Sequence, residues 1–196
     1  MDKKQIILIG GGGHCRSCID VVEGTDLYNI AGILDLEANL ETRILGYKII
    51  GTDRDIPGLA GEGFSFLITI GQIASPAKRI ELFELLKELK ADLPVIVSPY
   101  AYVSKHSKVG IGTIIMNSAV INAGAEVGEN CIINSRALIE HDARVGNNCH
   151  ISTGAIINGG AEIGESTFFG SGAISVQNAV IPPDSFIKAN SLFIRS

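Results

Sequence analysis

The chain has 196 residues, 46% of them hydrophobic and 19% charged, with a formal net charge of -5. No apolar run approaches the ~18 residues of a membrane span, and the acidic balance argues against nucleic acid as the main partner. Twenty-three glycines and no tryptophan point instead to tight, repeated turns and thin packing layers.

Met1-Asp2-Lys3-Lys4 leads into an apolar run, Ile6 to Ile9, that is too short for the core of a signal peptide. This predicts a cytoplasmic chain whose four cysteines are reduced thiols. Lys4 to Ile9 reads as a buried strand, followed by Gly10-Gly11-Gly12-Gly13-His14 and a helix from about Arg16 to Glu23. A second strand, Ile30 to Asp35, ends in an acid. A third, Phe64 to Ile70, is closed by Gly71-Gln72. A helix from about Pro76 to Lys90 follows, with Ser75 as N-cap and Pro76 at the first helical position. Alternating strands and helices predict a parallel sheet, so residues 1–95 form a small Rossmann-like α/β domain. The glycine loop lies between strand and helix, where backbone N–H groups can hold a phosphate. A dinucleotide fingerprint needs a third glycine at position 15, and Cys15 is there. A mononucleotide or nucleotide sugar fits better than NAD, and a bare glycine turn is the remaining reading. Asp35 suits a ribose or base edge, or is a solvated strand end. Cys15 and Cys18 have the spacing of a redox pair or half a zinc site, but no second pair accompanies them. They read as structural.

From Val103 onward an apolar residue recurs every six positions: Val109, Ile115, Ile121, and so on to Ile181, broken only at Ser175. Four places after each stands a small residue, from Ser107 and Thr113 through Ala137 and Cys149 to Ser185. Such hexads mark a β-helix. Each is one short strand and a turn, and three close a triangular coil of eighteen residues. The apolar residue points inward and the small one fits where the prism narrows. Fourteen hexads make about 4.7 coils and a rise of roughly 22 Å at the spacing of paired strands. Residues 96–196 are therefore a second domain. Cys131 and Cys149, eighteen apart, should stack in neighbouring coils as small core residues.

This order of domains resembles the bacterial acetyltransferases of sialic-acid and UDP-amino-sugar metabolism over nearly the whole chain. The residues that carry the resemblance are Gly10–His14, Leu34-Asp35, Ile70-Gly71, Asn134 to Asp142, and Cys149-His150-Ile151-Ser152. The resemblance implies a left-handed β-helix, against the usual right-handed rule for parallel crossovers. It also implies acetyl-CoA as co-substrate, with no metal. By the same resemblance His141 is the general base, assisted by Asp142, and His150 contacts acetyl-CoA, with Ser171 and Ala189 along the coenzyme site. Gly12, Gly13, His14, Asp35, Gly71 and Asn134 are implied to hold the sugar or nucleotide sugar. The sequence departs from the pattern at Leu36, where relatives carry a second acid, and at Asp142, which is often Glu. Its tail, Phe186 to Ser191, puts Ala189 where a glycine is frequent.

Acetyl transfer needs a base that takes a proton as an amine or hydroxyl attacks a thioester, and histidine titrates near working pH. A carboxylate on the far ring nitrogen fixes the tautomer. Asp142 or Glu140 can serve. His150 follows His141 by nine residues, half a coil, so one prism puts the two on opposite sides. A shared site then requires a neighbouring chain, most simply in a three-fold homotrimer. A zinc site of the kind found in hexapeptide carbonic anhydrases is disfavoured, because His106, His141 and His150 lack the close histidine pair. Arg136, Arg144, Lys188 and Arg195 are the basic side chains available to coenzyme phosphates. The function predicted is an acetyl-CoA-dependent sugar acetyltransferase. A non-catalytic nucleotide-sugar-binding protein is the alternative.

Overall fold

The computed structural model describes residues 3–194; Arg195 lies outside them. In the N-terminal domain the elements are β1 (Lys4–Ile9), α1 (Gly13–Thr25), β2 (Tyr28–Leu34), β3 (Arg43–Ile44), β4 (Tyr47–Gly51), α2 (Ile56–Gly61), β5 (Ser65–Ile68) and α3 (Ala77–Glu88). Their sheet has the order β3-β4-β2-β1-β5 and is parallel except for the β3–β4 hairpin. From β1 the chain builds outward through β2 and β4, then crosses back through α2 to add β5 on the other side of β1. The loops after β1, β2 and β5, Gly10–Gly12, Asp35 and Ile70–Gln72, therefore meet at the switch point where open α/β sheets bind ligands.

Several boundaries differ from the sequence reading. α1 begins at Gly13, so the loop is three glycines long, with Gly12 as N-cap. The third strand is shorter, Ser65–Ile68. Pro76 is the N-cap of α3, while the Ser75 hydroxyl accepts a hydrogen bond from the Ala77 N–H at 3.2 Å. The β3–β4 hairpin and α2 were not legible in the sequence. The hairpin turn places Leu45 (φ 47) and Gly46 (φ 91) in left-handed conformations. Such turns usually advertise themselves with Asn-Gly or Asp-Gly, and a leucine at the first position hides the signal.

The C-terminal domain is a left-handed parallel β-helix. Two-residue strands run from Ile96–Val97 to Leu192–Phe193 and stack into three sheets. The register is eighteen residues, as in Val120 against Leu138 and Leu138 against Ile156. The second residue of each strand enters the core. From Gly112 to Asn190 every sixth residue has φ between 53° and 76°, so each corner turns through one left-handed residue. Ser175, which breaks the apolar row, is buried; its Oγ accepts from the Asn158 N–H at 3.0 Å. Cys131 and Cys149 are buried free thiols, each donating to a carbonyl of the coil above.

The outward residues give the prism three unlike faces. The first carries Tyr102, Val120, Leu138, Ile156, Ile174 and Leu192, an apolar ladder. The second carries Lys108, Glu126, Arg144, Glu162 and Val180. On the third, Ile96, Ile114, Ile132, His150, Phe168 and Phe186 rise in register. The N-terminal domain packs on this third face. Ile96, Ile114 and Ile132 share one core with Cys15, Cys18, Ile19 and Val22 of α1, and burying each isoleucine is worth about 1.5–3 kcal/mol. Among the described residues no helix is long and apolar enough to cross a membrane.

Candidate active site

His141 stands at the corner between the first and second faces, its side chain 58% exposed. The next residue, Asp142, is that corner's left-handed residue (φ 61). The turn swings its carboxylate back, so that Asp142 Oδ2 lies 2.9 Å from His141 Nδ1. A carboxylate only accepts, so Nδ1 carries the proton and Nε2 keeps a lone pair. Glu140, the competing orienter, is engaged elsewhere: its Oε2 accepts from Asn122 Nδ2 at 2.8 Å and from the His141 backbone N–H at 3.3 Å. The imidazole lies against the Gly159 backbone, where an added Cβ would come within 2.7 Å of Nε2. Glu140, His141, Asn158, Gly159 and Gln177 line an open depression of about 430 Å³. Gly159 and Gln177 escaped the sequence reading. The eighteen-residue period could have found them, since they stand one and two coils above His141.

His150 is on the third face, across the prism, and is 7% exposed. Its Nδ1 lies 2.6 Å from the Gln72 carbonyl, which only accepts, so this nitrogen bears the proton. Nε2 accordingly accepts from Asn134 Nδ2 at 3.1 Å. Asn134 is held in turn by the Ser135 N–H, 2.7 Å from its Oδ1. The ring packs edge-on against Phe168, centroids 5.2 Å apart. Burial pushes the His150 pKa down to about 4, with a smaller push from the Arg79 charge, against the raising effect of the Gln72 carbonyl. Ser152 and Ser171 bond each other at 2.9 Å on the corner between the third and first faces. Ala189 is exposed one coil above Ser171.

His14, in the first turn of α1, has its ring centroid 6.4 Å from that of His150. Its Nε2 is buried without a hydrogen-bond partner. Burial, then the charges of Arg79 and His150, lower its pKa to about 4. Gly71 lies beside it: a Cβ there would sit 3.6 Å from His14 Cβ. At Gly12 and Gly13 an added Cβ would meet nothing within 4 Å, so their backbone faces open space. Asp35 accepts from Asn39 Nδ2 at 2.7 Å and lines a cavity of about 450 Å³ with Gly10, Thr52, Arg54, Ile70 and Lys78.

The structure thus gathers His14, Gly71, His150 and Asn134 at the seam between domains, and sets Asp35 at the neighbouring switch point. His141 and Asp142 stand apart on the opposite side of the prism. Arg136, Arg144 and Lys188 are exposed. Among the described residues no three His, Cys, Asp or Glu side chains gather into a metal site.

Residues 5–86 match the family described as the PglD N-terminal domain. The acetyltransferase domain of PglB from Neisseria gonorrhoeae, solved with acetyl coenzyme A, is 27% identical; the match covers 99% of this chain and 92% of that one, with a TM-score of 0.91. The perosamine N-acetyltransferase PerB of Caulobacter crescentus, solved with CoA and GDP-perosamine, is 29% identical over 98% of this chain and 89% of that one, with a TM-score of 0.90. WeeI from Acinetobacter baumannii, 16% identical, shares the fold over 97% of this chain and 94% of its own, with a TM-score of 0.74. A search of curated protein sequences finds no significant match.

Proposed function

We propose that this chain, which belongs to the bacterial sugar acetyltransferases and is an acetyl-CoA-dependent enzyme, acetylates an amine on a nucleotide-linked sugar with His141 as general base. The observation that carries the reading is the His141 Nδ1–Asp142 Oδ2 contact of 2.9 Å at an exposed corner, which leaves Nε2 open toward a depression large enough for a reacting group. The amine nitrogen attacks the thioester carbonyl while Nε2 takes its proton. Asp142 steadies the imidazolium. As the tetrahedral intermediate collapses, the C–S bond breaks and the coenzyme leaves as thiolate; the imidazolium proton then neutralises it.

The nucleotide part of the acceptor is assigned to the switch-point loops Gly12, Gly13, Asp35 and Gly71, with His14. The amine as acceptor group is supported by the N-acetyltransferase relative solved with a GDP-linked sugar. The coenzyme is assigned to the corner carrying Ser171 and Ala189, with His150 beneath it; Asn134, on the same corner, is assigned to the acceptor.

These assignments require two chains. The third face is covered by the N-terminal domain from Ile96 to His150 and the second is charged; the apolar first face is the one that suits a second copy. A three-fold ring closed on that face brings the His141 corner of one chain against the neighbour's Asn134–Ser171 corner, a heterologous contact that closes. This arrangement unites residues that one prism keeps apart.

The test is thiol release from acetyl-CoA with a panel of UDP- and GDP-linked 4-amino sugars and sialic acids. Turnover is expected with a nucleotide-linked amino sugar. Replacing His141 by Ala should lower kcat about 10²–10⁴-fold. Turnover only with a sialic-acid hydroxyl would overturn the acceptor assignment, and activity within threefold of the wild type in the His141 variant would overturn the base.

A further inference from the structure

The seam between the domains is built around a side chain with no part in the chemistry above. Arg79, on α3, is 1% exposed, and none of the ion pairs among the described residues includes it. Burial pushes its pKa down to about 10, so it remains a cation. Its acceptors are carbonyl oxygens, divided between the two domains. On the N-terminal side one nitrogen donates to Ile68 O at 3.0 Å and Ile70 O at 2.9 Å. On the β-helix side the other donates to Asn130 O at 3.0 Å and Asn130 Oδ1 at 2.8 Å.

An apolar residue would fill this volume without the desolvation that a buried cation carries. What the guanidinium adds is a planar fork that bonds both sides of the seam at once, which a lysine nitrogen cannot reproduce. The bonds continue outward. Asn130 Nδ2 donates to Asn148 Oδ1 at 2.9 Å. Gln72 Nε2 donates to the Asn148 carbonyl at 3.0 Å, and the Gln72 carbonyl accepts a hydrogen bond from His150 Nδ1–H. The segment 68–72 is therefore tied to the β-helix at both ends, with Gly71 between the ties and His14 against it.

We infer that Arg79 is a positioning residue that locks the acceptor-binding loop 68–72 onto the β-helix and so sets where the sugar stands relative to the coenzyme. This rests on the acceptor assignment made above. Misplacement of a reactant by about 1 Å costs up to ~10²-fold in rate, so a loop freed to shift should weaken productive acceptor binding while leaving the coenzyme corner of the prism intact.

The experiment compares wild type with Arg79→Lys, which keeps the charge and loses the fork. Two readouts are taken: amide hydrogen exchange over residues 68–72, which needs no acceptor, and separate KM values for acetyl-CoA and for whichever UDP- or GDP-linked 4-amino sugar the wild type acetylates. Faster exchange in 68–72, an acceptor KM raised about tenfold or more, and an acetyl-CoA KM within twofold are expected. Unchanged exchange, or KM values that both stay put while only the melting temperature falls, would overturn the inference. Should the lysine variant fail to fold, Asn130→Gly removes one acceptor at a position whose φ of 53° suits glycine; the same pattern, smaller, is expected, and its absence refutes the lock. A wild type that acetylates none of the sugars overturns the acceptor assignment, while the exchange measurement still judges Arg79.

Discussion

Gly159 offers the sharpest test of how His141 is held. A Cβ added there would lie 2.7 Å from His141 Nε2 and 2.8 Å from Cε1, where ordinary contact begins near 3.4 Å. Gly159 is not among the glycines with positive φ, so alanine brings no backbone strain, and the stability change should be small. The imidazole must instead withdraw by about 0.7 Å, the difference between 3.4 and 2.7 Å. That draws Nε2 off the line of proton transfer and loosens the contact to Asp142. Since a displacement of about 1 Å can cost ~10²-fold, Gly159→Ala should lower kcat about 10–100-fold in a steady-state thiol-release assay, with an unchanged melting temperature. If the effect passes through the ring, it must vanish when the ring is absent: in a His141→Ala background the glycine substitution should add less than threefold. A Gly159→Ala enzyme within threefold of wild type, or a full independent loss on top of His141→Ala, would refute this account.

Assembly gives two further expectations. Ile156 sits midway up the apolar ladder of the first face, so Ile156→Glu puts an unpaired charge into the proposed contact; light scattering should report a monomer without activity, and a wild-type mass with full activity would refute the interface. Chains carrying His141→Ala mixed with chains carrying His150→Ala should regain activity, because one subunit supplies His141 and its neighbour an intact His150 corner. Given two individually impaired variants, no recovery in verified mixed oligomers sinks the shared site. The remaining expectation concerns acid. His14 and His150 have pKa values lowered from 6.5 to about 4, so the unfolded chain takes up protons first as pH falls. Their contribution is complete above pH 6.5 and is lost from there down to about 4, at about 3 kcal/mol per histidine over the whole window. Denaturant unfolding should show the loss already between pH 6.5 and 5, where most carboxylates remain ionised; a flat profile there would contradict the buried neutral pair.

The hexad period was sufficient, from sequence, for the prism, its eighteen-residue coil and the opposite placement of His141 and His150. A repeat this strict is a local rule: each unit meets only its neighbours in the stack, so spacing along the chain converts directly into spacing in the fold. The strand–glycine–helix opening likewise announced the parallel sheet. Other features depended on conformations or dockings that no spacing encodes. Whether Asp142 or Glu140 faces the His141 ring was decided by the left-handed corner at Asp142. The hairpin at Leu45-Gly46 was hidden because its turn residues are not those that usually mark one. The resemblance implied a coenzyme contact for His150, and the sequence was silent on its burial. His150 proves to have both ring nitrogens bonded, one to the Gln72 carbonyl from the other domain, and the buried Arg79 fork is invisible until α3 meets Asn130. These last contacts join residues more than fifty positions apart, across a seam whose geometry depends on how α1 and α3 pack on the β-helix, and tertiary packing alone determines it.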